Sequence, residues 1–173
     1  MTVFSLRRRQ EPDERGEGLA NAWRLHDSQM DWTGKVDAKA AFSLTIQGAL
    51  LALSVSLVND IDSCIEYVLL GLGVLLVAVG LGFAASVVAP RLRSKHLASE
   101  MAANFIYFGH ARGWEPEALA DELRAADLIE QLARQVVVMA DIAWRKHRRV
   151  AASIWLAVVG GGLLLAAGVV ARI

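Results

Sequence analysis

Residues 67–90 read YVLLGLGVLLVAVGLGFAASVVAP and contain no Asp, Glu, Lys or Arg. As an α-helix rising about 1.5 Å per residue, this run would be roughly 36 Å long, enough to cross a hydrocarbon core of about 30 Å. Two more uncharged runs flank it, 40–58 and 150–171, which would be roughly 28 and 33 Å long as helices. Nearly every charged side chain falls between the runs, so the sequence is segregated by solvent. Over its 173 residues the chain is 55% hydrophobic, with a mean hydropathy of +0.39, too apolar for an ordinary soluble domain of this size. A soluble fold would have to bury three such helices beneath a polar part too small to cover them. The pattern predicts an all-α membrane protein: three transmembrane helices, with long helices extending from them into a cytoplasmic helical domain.

Lys and Arg together number 18, as do Asp and Glu, so orientation must be read from distribution. Arg7, Arg8, Arg9, Arg15, Arg24, Lys35 and Lys39 precede the first run, whereas the loop 59–66 has no Lys or Arg and carries Asp60, Asp62 and Glu66. The segment after the second run opens with Arg91, Arg93 and Lys95 and closes with Arg145, Lys146, Arg148 and Arg149. The positive-inside rule therefore predicts a cytoplasmic N-terminus and a cytoplasmic segment 91–149, with the loop and the C-terminus outside. Only Arg172 argues the other way. About forty residues precede the first run and no cleavage pattern accompanies it, so a retained span is expected rather than a signal peptide. The single cysteine, Cys64, permits no internal disulfide.

Seven segments follow: a flexible tail (1–17), an amphipathic cytoplasmic helix (18–39), the first span (40–58), a short outer loop (59–66), the second span (67–90), a cytoplasmic helical sensor segment (91–149) and the third span (150–171). In the amphipathic helix Leu19, Trp23, His26 and Met30 recur at spacings of four and three and suggest a packing face. Within 91–149, Leu97, Met101, Asn104, Phe105 and Phe108 form a helical stripe that Gly109, Gly113 and Pro116 break. A short helix is expected over about 117–125. From about Asp127, Leu128, Leu132, Gln135, Met139, Ile142 and Lys146 predict one helix running unbroken into the third span.

Within the first span Ser43, Gln47 and Ser54 share a face, and an amide left unsatisfied in hydrocarbon costs several kcal/mol. Gln47 should face protein, another subunit or water; interhelical hydrogen bonding and a membrane path lined by Ser43, Gln47 and Ser54 both fit. Gly80/Ala84, Gly82/Ser86 and Gly162/Ala166 have small-xxx-small spacing, which serves helix packing within one chain or between chains. No phosphate loop, His-Glu-x-x-His, CxxC or nucleophile elbow is visible, so no enzyme and no metal site is expected. The spans lack the charged residues and duplicated halves of many transporters. Two clusters stand out. Asp37-Ala38-Lys39 sits at the entry of the first span and fits a membrane-surface charge pair or part of a ligand site. Phe105 to His110, FIYFGH, fits a core helix ending at glycine, or aromatic faces ready for a flat base.

Asp-Ala-Lys-Ala (37–40), Ile-Tyr-Phe-Gly-His (106–110) and the helix containing Leu-Ala-Arg-Gln-Val, Met-Ala-Asp-Ile-Ala and Lys-His (132–147), in this order relative to three spans, resemble the transmembrane effectors of bacterial Pycsar anti-phage systems. The resemblance covers about residues 18–172. His147 stands where the family pattern favours an aromatic, and Gly34 and Val36 also depart from it. What the resemblance implies is an effector of the bacterial inner membrane: it senses cyclic UMP or cyclic CMP made by a pyrimidine cyclase on infection and impairs that membrane, giving abortive infection. It places Asp37, Lys39, Tyr107, Phe108, His110, Gln135 and Lys146 in the nucleotide site or in its coupling to the spans. The implied partners are the lipid bilayer, the cyclic pyrimidine nucleotide and further copies of the chain, with no nucleic acid and no cofactor. A channel or transporter subunit without nucleotide control, or a structural membrane adaptor, is the alternative.

Overall fold

The computed structural model of the chain describes residues 3–90 and 104–172; Leu97 and Met101 of the expected stripe lie outside them. Among the described residues all regular structure is helical: α1 (Val3–Leu57), a 3-10 turn (Val58–Asp60), α2 (Cys64–Val88), α3 (Phe108–Ala111), α4 (Pro116–Ala125) and α5 (Leu128–Val170). The expected all-α class with three helices able to span a membrane holds. Between 22% and 28% of the most apolar stretch of α1, α2 and α5 is buried within the chain. Phe42, Val55, Ile65, Leu75, Trp155 and Leu165 are each more than half exposed. Such a continuous apolar surface suits lipid, in which helices satisfy their own backbone hydrogen bonds.

Two compact units are built from these helices, one from Met1–Trp32 and Arg91–Ile142, the other from Thr33–Pro90 and Ala143–Ile173. α1 and α5 each contribute to both. The helical backbone of α1 begins at Val3, inside the stretch 1–17 expected as a flexible tail; the Arg and Glu residues there are good helix formers. The expected packing face of this helix needs correction. Of its four residues Leu19 and His26 are sheltered, whereas Trp23 and Met30 are exposed, at 39% and 56%; the sheltered line runs on through Ala22, His26, Gln29, Thr33, Val36 and Ala40. These alternate by four and three, the 3.5-residue repeat of packed helices. Trp23 lies one residue, about 100°, around the helix from that line.

In the span unit, α2 starts earlier than the uncharged run because Ser63 and Glu66 form a capping box. The Ser63 hydroxyl accepts from the Glu66 N–H at 3.4 Å, and the Glu66 carboxylate accepts from the Asp62 and Ser63 N–H groups at 2.9 and 3.3 Å. Glu66 thus belongs to the first turn of α2 and not to the loop 59–66. α2 stops at Val88, two residues before Pro90, whose ring disfavours helical backbone in the residue before it. One buried cluster joins Ile61, Leu70, Val77, Leu164 and Ala167, and another joins Val36, Ala40, Val87 and Val150. Between these helices glycine sets the approach. A Cβ on Gly160 would sit 2.8 Å from the Gly73 carbonyl oxygen and 2.8 Å from Val77 Cγ2. Among the described residues Gly82 and Gly162 have nothing within 4 Å at that position, so of the three small-residue pairs Gly80/Ala84 is the one packed against described residues.

In the other unit the stripe through Phe108 is not one helix: Asn104 to Tyr107 are non-helical, and α3 begins at the residue where the stripe was expected to end. The aromatic ring of Tyr107 explains the glycine beside it, since a Cβ on Gly109 would run into that ring. Phe105 is buried and meets Trp114 edge-on at 6.0 Å, while the Trp114 indole N–H donates to the Asn104 carbonyl at 3.3 Å. α4 opens with Pro116 at its first position, where the missing N–H costs nothing. The Asp127 carboxylate accepts from the Ile129 N–H at 3.1 Å at the start of α5.

Candidate functional site

The residues singled out in the sequence fall into three groups. Tyr107, Phe108, His110 and Gln135 come together around a cavity of about 560 Å³, within the range of roughly 300–1,000 Å³ usual for small-molecule sites. The Asn104–Ala111 segment forms one wall. Its extended backbone at Tyr107, held by hydrogen bonds from the His110 and Ala111 N–H groups to the Tyr107 carbonyl at 2.9 and 3.0 Å, sets the three rings side by side. Tyr107 meets Phe108 at 4.6 Å in a tilted arrangement and His110 at 5.4 Å edge-on. His110 is buried and Phe108 is 64% exposed.

α5 supplies the facing wall with Gln131, Arg134, Gln135, Val138 and Ile142, which follow the i, i+3, i+4, i+7, i+11 spacing of one helix face. Gln131 and Arg134 were not expected from the sequence. The Gln131 side-chain oxygen is buried and has no hydrogen-bond partner among the described residues. An orphaned buried acceptor costs about 1–3 kcal/mol and is a ready partner for a ligand N–H. Arg134 gives the cavity a guanidinium, the group best matched to an anionic phosphate.

Asp37, Lys39 and Lys146 belong to the span unit. The Lys146 ammonium donates to both carboxylate oxygens of Asp37, at 2.6 and 2.8 Å, with both side chains partly shielded from water. This pair ties α1 to α5. Asp37 and Lys146, both expected in the nucleotide site or in its coupling to the spans, are thus engaged with each other. Lys39 is exposed and lies on an apolar groove with Phe42, Ile46 and Ile154. His147, one residue beyond Lys146, places its Nδ1 2.9 Å from the Ala143 carbonyl oxygen of its own helix.

The third group is a buried polar layer. The Gln47 amide nitrogen donates to Ser43 Oγ at 2.6 Å and to Ser153 Oγ at 2.8 Å, and the two hydroxyls lie 3.1 Å apart. Gln47 and Ser153 are fully buried. Of the two readings left open for Gln47, interhelical bonding within the chain is what the structure holds. Ser153 was not anticipated, although it is the only serine of the third uncharged run. Ser54 is buried and donates to the Leu51 carbonyl at 2.7 Å, satisfying itself on its own helix. Gln47 Oε1 has no partner among the described residues and faces Gly80, where a Cβ would come within 3.0 Å of it. Among the described residues no three His, Cys, Asp or Glu side chains gather as metal ligands.

Fold and site together define a helical membrane protein with a ligand-sized, aromatic and amide-lined cavity outside its uncharged runs. The model of the Pycsar effector protein domain matches residues 21–173, and the chain belongs to that family. Comparisons with curated proteins and with solved structures give no match. Family membership supports a role as a Pycsar antiviral effector.

Proposed function

We propose that this effector binds a cyclic pyrimidine mononucleotide, cyclic UMP or cyclic CMP, in the cavity between the Asn104–Ala111 segment and α5, and that binding turns on damage to the bacterial inner membrane and abortive infection. The observation that carries this reading is the cavity, which unites four family-marked residues with one guanidinium. Tyr107 and Phe108 offer faces for a flat base, and Arg134 offers a fork for the cyclic phosphate. The Gln131 and Gln135 amides present donors beside acceptors, as the edge of uracil or cytosine does. The cavity would face the cytoplasm, where a pyrimidine cyclase delivers its product, and the charge asymmetry supports that orientation.

Output would run through α5, which carries the cavity residues 131–142 and, on the same helix, Lys146 and Ser153. A ligand shifts a two-state equilibrium only by its difference in affinity for the two states; a hundredfold difference corresponds to about 2.7 kcal/mol. The Ser43–Gln47–Ser153 layer makes such a shift effective. Its unpartnered Gln47 oxygen costs about 1–3 kcal/mol while dry, a cost that hydration relieves. Several copies, meeting through outward positions such as Gly82 and Gly162/Ala166, would then enclose a path that Ser43, Gln47 and Ser54 line. The test is calorimetry on detergent-solubilised protein with cyclic UMP, cyclic CMP, cyclic AMP and cyclic GMP, followed by dye release from proteoliposomes. Binding of a pyrimidine nucleotide alone, with ligand-dependent release, is expected. Folded protein that binds neither pyrimidine overturns the sensing, and equal leakage with and without nucleotide overturns the gating.

A further inference from the structure

Arg145, Arg148, Arg149 and Ala152 follow the i, i+3, i+4, i+7 spacing of one face of α5. With Phe83 of α2 they line a recess of about 280 Å³ in the span unit. Its depth is fixed by packing: Val150, one residue past the last arginine, shares a buried cluster with Val87, and Phe83 lies one turn further into α2. The recess is therefore graded along its length. One end is made of guanidinium groups at the last charged turn before the uncharged run 150–171, and the other of Ala152 inside that run and Phe83 inside the run 67–90. Among the described residues no carboxylate pairs with Arg148 or Arg149.

We propose that this recess is a binding site for an anionic phospholipid, with the phosphate on Arg148 and Arg149 and an acyl chain along Phe83. The chemistry recognised is a phosphate diester, which guanidinium groups grip bidentately. The apolar floor assigns it to a lipid rather than to a soluble phosphate, because basic recesses between membrane helices at headgroup level are where anionic headgroups settle. This inference is independent of the nucleotide reading, which concerns a different cavity.

Native mass spectrometry of the full-length protein tests it, with phosphatidylglycerol, phosphatidylcholine and glycerol 3-phosphate as probes. Selective retention of phosphatidylglycerol is expected. Each arginine near an anionic headgroup contributes roughly fivefold to partition, so R148Q/R149Q should lose on the order of 25-fold in that selectivity. R172Q, two residues beyond the end of α5, should lose none, and R148K/R149K should retain part of it because the charge remains. Should the double Gln variant fail to fold, R148Q and R149Q singly are expected to lose roughly fivefold each. Undiminished phosphatidylglycerol selectivity in the folded Gln variants overturns the proposal. So does glycerol 3-phosphate binding as tightly as the lipid, since the site would then belong to a soluble anion.

Discussion

Gly160→Ala is the sharpest probe of the span unit, because one methyl group is placed where two backbones meet. Its Cβ would lie 2.8 Å from the Gly73 carbonyl oxygen, 2.8 Å from Val77 Cγ2 and 3.1 Å from Leu76 Cβ. Ordinary contact begins at 3.4 Å, and a helical carbonyl cannot swing aside as a long side chain can. The two helices must therefore separate by roughly half an ångström along their crossing, or the side chains must leave their rotamers. Overpacking of this kind costs about 1–3 kcal/mol, while Ala gains about 0.8–1 kcal/mol over Gly as a helix former. Gly162→Ala, two residues on, receives the same propensity gain and meets no described residue within 4 Å. Subtracting the two cancels propensity and leaves the clash, so G160A should be less stable than G162A by about 1–3 kcal/mol. Reversible unfolding in mixed micelles of increasing SDS content, followed by far-UV circular dichroism, measures both. Equal stability, or a more stable G160A, would refute the close crossing of α2 and α5 and the core built around it.

Four further outcomes are expected. In a double-mutant cycle of D37N and K146Q, the bidentate but partly solvated pair should show a coupling of about 1 kcal/mol, read by the same unfolding assay; a coupling near zero would mean that it does not tie α1 to α5. Arg134→Gln removes the cavity's guanidinium and should weaken cyclic pyrimidine nucleotide binding by roughly 10- to 100-fold in calorimetry, the loss of one charged hydrogen bond. Gln47→Leu deletes the unpartnered oxygen while leaving Ser43 and Ser153 to bond each other, so stability should change by less than about 1 kcal/mol; ligand-triggered dye release should fall with nucleotide affinity intact, and normal release would remove Gln47 from the path. Cys64 is exposed at the first residue of α2; an impermeant thiol reagent should label it in intact cells but not in the Cys64→Ser control, and labelling only after lysis, with protease mapping showing residues 91–149 outside, would reverse the orientation.

The spans were legible because hydrocarbon imposes the same rule on every residue it touches, so twenty consecutive side chains report one fact. The helix start at Cys64 is legible in principle from the Ser63-x-x-Glu66 spacing, but absence of charge is a coarser ruler and puts the boundary at Tyr67, three residues late. Trp23 and Met30 misled for a related reason. Large apolar side chains attract notice, yet the sheltered line runs through Ala22, His26 and Gln29, and the sequence carries no mark of the neighbour that covers them. The same holds for glycine: Gly160 and Gly162 are two letters of one run, and only the packed partner tells the crowded one from the open one.

The candidate site divides along the same line. Tyr107, Phe108 and His110 are neighbours in sequence, so a local pattern sufficed to gather them. The cation did not follow, because lysines near a span attract attention as charges at a boundary, and charge alone does not reveal whether a partner has already claimed it. Asp37 claims Lys146 from 109 residues away. Arg134 carried a usable signal that points elsewhere: Gln131, Arg134 and Gln135 share a helix face with Val138 and Ile142. Gln131 and Gln135 are half-buried on the face turned to aromatic neighbours, where Leu or Val would pack more cheaply, so their amides need partners, and the exposed Arg134 stands beside them. On that argument the amides and the guanidinium should be judged as a set. Replacing Gln131 and Gln135 together by Leu should stabilise the folded chain while abolishing pyrimidine binding, and a variant that gains stability and still binds would show that the base is read elsewhere.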